Sequence, residues 1–234
     1  MKRALPFLII GTVLIIAVVA ALYLKRSASA PVAPSTPPPS APTATNGTTT
    51  GNGTAATETG ALPPHTQGPE NAPVTLEEFG DFECPPCGML HPVLKTMEKE
   101  FGARLRLIFR PFPLVPAHVH ALAAVRSAEA AGLQGKFWEM HDLLYENQKT
   151  WHDAFDARPI FEDYATRIGL NLEKFRSDSA GETVAQRIFL DGKRAHTLGV
   201  SGTPTVYMNG REVPFESLAP DKLRALINAQ LNTK

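Results

Sequence analysis

Cysteine is almost absent from this chain: of its 234 residues only Cys84 and Cys87 carry a thiol. Two thiols exclude a framework of several disulfides. They also supply only half of the four ligands that a structural zinc site needs. Of the seven histidines, only His91 lies near the pair in sequence, one turn beyond Cys87. Excess charge is lacking too, since 23 basic residues balance 23 acidic ones. Such a balance leaves no electrostatic footprint for nucleic acid. Acidic residues are missing altogether before Glu58, and residues 4–24 carry no charge of either sign. No internal repeat is visible.

The missing charge organises the N-terminal part. Residues 4–24 lie between Lys2-Arg3 and Lys25-Arg26, and an uncharged span of this length crosses a bilayer as a helix. A cleaved signal peptide has a shorter apolar core, so residues 1–26 are expected to form an uncleaved anchor. Ala28-Ser29-Ala30 leaves cleavage as the alternative. Positive charges on both flanks give the positive-inside rule little to act on. Residues 27–65 are rich in Pro, Thr, Ala, Ser and Gly, with Glu58 their only formal charge. They are expected to be a disordered tether with a reach of roughly 35 Å. Two Asn-Gly-Thr triplets, at Asn46 and Asn52, match the glycosylation pattern, but in so Thr-rich a stretch they carry no weight. Beyond the anchor the formal charge is near −4. An anchored domain with one reactive thiol pair fits an oxidising compartment outside the cytoplasmic membrane. Residues 66–234 are long enough for one domain with its own core.

Cys84-Pro85-Pro86-Cys87 follows an apolar, strand-like run at residues 74–79 and precedes apolar residues at helical spacing, Met89, Val93, Met97 and Phe101. Both sulfurs are thereby placed at the first turn of a helix, where free backbone N–H groups and the helix dipole favour a thiolate. A pair spaced this way can close a small disulfide and reopen it by exchange. A purely structural bridge is disfavoured, because so short a loop removes little chain entropy. The residues themselves therefore point to thiol–disulfide chemistry. A second strand is expected at residues 105–109, giving a strand–helix–strand unit with a right-handed crossover. A long helical stretch follows, with apolar faces at Phe137, Met140 and Leu144 and at Phe161, Ala165 and Ile168, and a further helix at about 183–198. The chain ends in a strand at 205–208, a hairpin turn at Asn209-Gly210, a partner strand at 211–214 and a helix opened by Pro220. The order is βαβ, a helical insertion, then ββα, an α/β arrangement.

Three separated motifs agree in order and spacing with one family. Phe79-Gly80-Asp81-Phe82-Glu83-Cys84-Pro85-Pro86-Cys87, Gly135-Lys136-Phe137-Trp138-Glu139-Met140-His141 and Gly199-Val200-Ser201-Gly202-Thr203-Pro204-Thr205 resemble the DsbA-like thiol–disulfide oxidoreductases, in the membrane-tethered branch of the thioredoxin superfamily. The resemblance spans residues 69–231. It implies a thioredoxin fold with a helical subdomain, at about 115–198, inserted over the active site. It implies a protein-disulfide oxidoreductase, expected to act as a dithiol oxidase on cysteines of exported proteins, from the outer face of the cytoplasmic membrane. It also implies re-oxidation by a DsbB-type, quinone-linked membrane partner, with no cofactor or metal of its own. Two alternatives stay open: a reductase for a dedicated client such as an apocytochrome, and a non-catalytic metal- or peptide-binding module.

The resemblance assigns roles residue by residue. Cys84 is the attacking and more exposed sulfur and Cys87 the buried resolver. Pro204 matches a proline that adopts the cis form against the disulfide, and Thr203 before it presents its backbone to a bound peptide. Glu78 matches a buried acid that shuttles a proton for the buried cysteine, with a pKa raised by desolvation. Glu77, on the opposite side of the strand, is read as its solvated control. Asp81 and Glu83 are read as solvent-facing charges, and His118 and His120 as surface or satisfied histidines near the rim. Trp138, Trp151, Phe137 and Tyr145 are read as core of the insertion. The chain departs from the family in its dipeptide. Strongly oxidising members often carry a histidine between the cysteines, whereas here both positions are proline. Two first-turn N–H donors are lost with no imidazolium in their place, and a less oxidising couple is expected.

Overall fold

The computed structural model describes residues 59–233. The expected anchor at residues 4–24, and the expected tether as far as residue 58, lie outside them. Among the described residues no helix is long and apolar enough to cross a membrane. Five strands form one sheet in the order β1-β3-β2-β4-β5: β1 (His65–Gln67), β2 (Val74–Gly80), β3 (Leu105–Pro111), β4 (Thr205–Met208) and β5 (Arg211–Val213). Only β2 and β3 run parallel. Helix α1 (Pro85–Phe101) is the crossover between them, as a parallel pair requires. The hairpin turn forms where Asn-Gly places it, with both residues at positive φ (48° and 79°). The Asn209 side chain then ties that turn to Thr75 N at 2.8 Å, at the start of β2.

Between β3 and β4 the chain inserts α2 (Ala121–Gly132), α3 (Phe137–Glu146), α4 (Gln148–His152), α5 (Arg158–Arg167), α6 (Leu172–Ala180) and α7 (Glu182–Thr197). The fold closes with α8 (Pro220–Asn232). The alanines of α2 that are wholly buried, Ala124, Ala128 and Ala131 among them, have side chains small enough for α3, α6 and α7 to approach it closely. One apolar core joins the sheet to α1 and α8 through Leu76, Leu94, Met97, Leu107, Leu223 and Ile227. A second fills the insertion around Met140, Leu144, Trp151 and Phe161 and reaches Phe82, Phe109 and both cysteines. Trp151, Phe137 and Tyr145 are buried there and Trp138 is half-buried against them, so the aromatic residues are core as read.

Order begins earlier than composition suggested. Ala61 is wholly buried; its N–H donates to Asp191 Oδ1 at 2.9 Å and its carbonyl accepts from Arg110 Nη1 at 2.8 Å. Strand β1 then pairs antiparallel with β3. A three-residue polar strand has too little pattern to read from sequence. Helices α4 and α6 are likewise additions to the sequence reading. Glu77 needs a larger correction. It is buried, and it accepts from Arg110 Nε at 2.9 Å and from Arg194 Nη2 at 2.6 Å. The arginines sit on β3 and α7, and a central strand packed on both faces offers no solvated side. Burial alone would raise the Glu77 pKa, but the two guanidinium groups outweigh it and lower it.

Candidate active site

Cys84 is the N-cap of α1, and Pro85, Pro86 and Cys87 are its first three residues, as the sequence placed them. Proline suits those positions because its φ is already helical and the missing N–H had no helical partner. Both cysteines are free thiols and both are buried, Cys84 at 5% exposure and Cys87 at 0%. Cys84 is thus the more accessible sulfur by a narrow margin. The Cys87 thiol, donating to the Cys84 sulfur, does most to lower the Cys84 pKa, to about 6. Burial opposes that shift, Thr203 and the Cys87 N–H reinforce it, and the Asp81 charge works against it. Burial pushes Cys87 the other way, far above the ordinary thiol range, and the neighbouring Cys84 and Glu78 add to the rise. The two sulfurs are therefore unequal: one is readily ionised and the other holds its proton.

Thr203-Pro204 is a cis peptide, and Pro204 is buried. The Thr203 carbonyl accepts from Cys84 Sγ at 3.3 Å. That contact belongs to the protonated thiol. The Thr203 hydroxyl is buried without another partner, and its influence on Cys84 favours the ionised sulfur. Beside the pair, Pro86, Met89, Val93, Pro204, Phe215 and Leu218 line an open groove. Met89 and Phe215 are exposed along it, at 66% and 60%.

Glu78 lies on β2, between Phe109 of β3 and Val206 of β4. It is buried, and desolvation, with the Cys84 charge, raises its pKa to about 8. The structure thus brings Cys84, Cys87, Thr203, Pro204 and Glu78 to one end of the sheet.

Asp81 and Glu83 correct the sequence reading, because neither faces solvent. Asp81 is 0% exposed and Glu83 2%. Asp81 accepts from Glu83 N at 2.8 Å, from Leu114 N at 2.8 Å and pairs with His118 Nδ1 at 2.7 Å. Glu83 accepts from His120 N at 2.6 Å and lies 3.3 Å from His152 Nδ1. These carboxylates fasten the cysteine loop to the segment after β3, a service that distant chain segments alone can provide. His118 and His120 are satisfied, as read: His120 Nε2 contacts Ala154 O at 2.8 Å. Burial would lower the His118 pKa, but its bond to Asp81 raises it.

Gln148 carried no sequence signal and is central. Its amide donates to Phe82 O at 2.7 Å and Cys84 O at 2.9 Å, so α4 holds the cysteine loop from above. Gly88 makes room for it, since a Cβ there would lie 2.6 Å from Gln148 Oε1.

His91, His141 and Asp142 bring three donor atoms close enough to share a cation. The arrangement is instead a hydrogen-bonded network. Asp142 Oδ1 lies 3.1 Å from His91 Nε2 and 2.9 Å from His141 Nδ1, and Oδ2 accepts from Lys95 Nζ at 3.0 Å. The ammonium already neutralises the carboxylate, which leaves little attraction for a second cation.

Comparison with known proteins agrees with this geometry. A family profile described as Thioredoxin matches residues 61–229. The solved structure of oxidised BdbD from Bacillus subtilis superposes with a TM-score of 0.63 at 24% identity, covering 72% of this chain and 93% of BdbD. The thiol-disulfide exchange protein alpha-DsbA2 from Wolbachia pipientis gives 0.58 at 21% identity, covering 72% of this chain and 87% of its own. Among curated sequences, the Na(+)/H(+) antiporter NhaA 1 of Salinispora arenicola is 44% identical over 148 residues, 63% of this chain and 22% of the antiporter. The chain thus spans about a quarter of the length of the curated relatives it matches.

Proposed function

The chain belongs to the thioredoxin family and shares its fold with the DsbA-like thiol–disulfide oxidoreductases; from that premise we propose that it is a dithiol oxidase for cysteines of exported proteins. The observation that carries the reading is the inequality of its two thiols: Cys84 at the helix N-cap is ionised at neutral pH, and Cys87 behind it is not. The cycle starts with the Cys84–Cys87 bond closed. A client thiolate attacks Cys84 Sγ, the S–S bond breaks, and its electron pair leaves on Cys87. Glu78 gives the Cys87 thiolate a proton, which its raised pKa allows it to hold beforehand. The client's second thiolate then attacks its own sulfur in the mixed disulfide and expels Cys84 as the stabilised thiolate. The client loses two electrons, and the enzyme gains them as a dithiol. Thr203 lies against the attacked sulfur, where its backbone can meet a bound peptide, and the groove beside Pro204 offers apolar side chains a place to lie.

Residues 4–24 would hold this domain at the outer face of the cytoplasmic membrane, within reach of a DsbB-type, quinone-linked oxidase that restores the disulfide. The antiporter likeness covers about a quarter of those proteins, and ion transport is no part of the proposal. A reductase role for a client such as an apocytochrome has one observation in its favour, the pair of prolines that withdraw N–H donors from the first turn. The test is thiol oxidation and insulin reduction by the full chain in detergent, with its potential set by equilibration against glutathione. A potential near those of strong oxidants, together with rapid dithiol oxidation, supports the oxidase. A potential near that of thioredoxin supports the reductase. Absence of both activities overturns the enzyme reading in favour of a binding module.

A further inference from the structure

Glu78 poses a problem that the cycle above leaves open. It must exchange one proton with solvent in every half-cycle, yet its carboxyl is buried and Oε1 has no protein partner. Among the described residues five other buried polar atoms also lack a partner, Gln67 Oε1 and His141 Nε2 among them. These two residues and Glu78 line one small cavity of about 20 Å³ between the sheet, α1 and α3. A cavity holds a water once it exceeds roughly 10–15 Å³, and a buried water makes about three hydrogen bonds. Three unpartnered polar atoms around a space of that size are what such a water satisfies.

The polarity of the surrounding bonds also agrees. Asp142 is an acceptor, and His91 Nε2, His141 Nδ1 and Lys95 Nζ all converge on it. An acceptor on that side fixes the proton of His141 on Nδ1. Its Nε2 is then a free lone pair on a residue that lines the cavity. A protonated Glu78 can donate to the water, and the water can donate to His141 Nε2 and to Gln67 Oε1. The far end of the network reaches solvent, because Asp142 and Lys95 side chains are 25% and 39% exposed.

We propose that a cavity water and His141 relay the proton between Glu78 and solvent, with Asp142 as the exit, making His141 a positioning and proton-transfer residue for the resolving cysteine. This rests on the thiol–disulfide reading above. During re-oxidation Glu78 first passes its proton to the water, the water passes one to His141 Nε2, and the Nδ1 proton leaves through Asp142. The vacated carboxylate then takes the proton of the Cys87 thiol. The Cys87 thiolate attacks Cys84 Sγ, the Cys84–Cys87 bond forms, and the partner sulfur leaves with the electron pair. Glu78 is thereby left protonated in the oxidised protein, as the reduction step requires. Reduction of the disulfide runs the same wire inward, so a full cycle restores the starting tautomer. The charged and titratable groups around Glu78 are Cys84, Cys87, His91 and Lys95 from α1 and its cap, and His141 and Tyr145 from α3.

The test uses the full chain, reduced and mixed with oxidised glutathione in a stopped-flow instrument, following resolution of the mixed disulfide by Cys87 as a function of pH. Glu78→Gln slows resolution and flattens its pH profile. His141→Gln, which can keep a hydrogen bond to Asp142 but cannot carry a proton, slows resolution on the order of tenfold at neutral pH, within the range of acid–base contributions. Its solvent deuterium effect rises as well. A His141→Gln protein with the wild-type rate and profile, while Glu78→Gln is slow, overturns the relay alone. A Glu78→Gln protein with the wild-type profile overturns both the relay and the role of Glu78. Nitrogen chemical shifts of His141 in the wild-type chain give a check independent of folding of the variants. In the reduced chain the relay requires the neutral Nδ1–H tautomer from about pH 5 to 9, and an Nε2–H tautomer there excludes it.

Discussion

Cys84 and Cys87 sit three positions apart and differ in everything that decides reactivity. Alkylation of the reduced chain should follow an ionisation near pH 6, the value to which the Cys87 thiol and Thr203 lower Cys84, and a profile centred near 9 would contradict that environment. Cys87→Ala should accumulate mixed disulfides with client thiols on non-reducing gels, whereas Cys84→Ala should exchange none; equal residual activity would overturn the assigned roles. Glu78 makes a separate demand on stability. Its folded pKa of about 8 lies above the ordinary 4.5, so the native state holds a proton that the unfolded chain has lost. Its contribution is complete below about pH 4.5 and is lost as pH rises through 8. In the oxidised protein, where the Cys84 charge is absent and burial still raises the Glu78 pKa, urea unfolding should show stability falling by up to about 1.4 kcal/mol per pH unit as pH rises above the ordinary 4.5. Glu78→Gln should remove the slope. In the reduced protein the lowered Cys84 pKa acts oppositely, adding stability as pH rises from 6 toward 9.

At the scale of the element, the first turn of α1 sets the redox poise. With Pro85 and Pro86 in place, only the Cys87 N–H remains among the early donors to act on the Cys84 sulfur. Changing Pro86 to His should add a cation beside the thiolate and stabilise the reduced form by about 1–2 kcal/mol. That corresponds to a potential roughly 20–45 mV higher, read by equilibration against glutathione. No upward shift would mean that the first turn does not govern the couple. The same loop is held from the insertion by Gln148. Gln148→Leu leaves the Phe82 carbonyl without its side-chain donor and the Cys84 carbonyl with Gly88 N alone, at a cost of about 1–3 kcal/mol. A fall in Tm of the reduced and oxidised forms alike would identify the loss as structural.

For the whole molecule, a buried ionic network joins the chain's entry into the fold to the sheet and to α7. Arg110 is 4% exposed and bonds Glu77, Asp191, Ala61 O and Thr59 O. Burial raises the Asp191 pKa even though Arg110 beside it pulls the other way, so removing the guanidinium takes from buried Asp191 the arginine bonded to it, while Glu77 keeps Arg194. Arg110→Met should cost about 3–5 kcal/mol in denaturant unfolding. Deleting residues 59–64 should destabilise the domain by less than Arg110→Met, since Glu77 keeps both arginines and only the strap is lost. An unchanged midpoint for either variant would show that the network does not secure the N-terminal segment.

Much of this protein was legible from local pattern. Apolar spacing placed β2, α1, β3, β4 and α8 within a few residues, because periods of two and near four record which face is buried. Asn209-Gly210 fixed its hairpin, and the position of Cys84 before two prolines fixed the helix start. Cys84 and Cys87 stood out by their spacing and their place at a helix start, Glu78, Thr203 and Pro204 came from motif resemblance, and the structure brings the five together. What sequence could not decide was the fate of polar residues whose partners lie far along the chain. Glu77, Asp81 and Glu83 read as solvated because charge is normally solvated; Arg110, Arg194, His118, His120 and Leu114 N, 33 to 117 positions away, bury and satisfy them. Gln148, His141 and the polar cavity behind Glu78 had no local signature either. Local order follows from backbone and side-chain periodicity, which a short window contains; the partner of a buried charge is set by tertiary packing, which it does not.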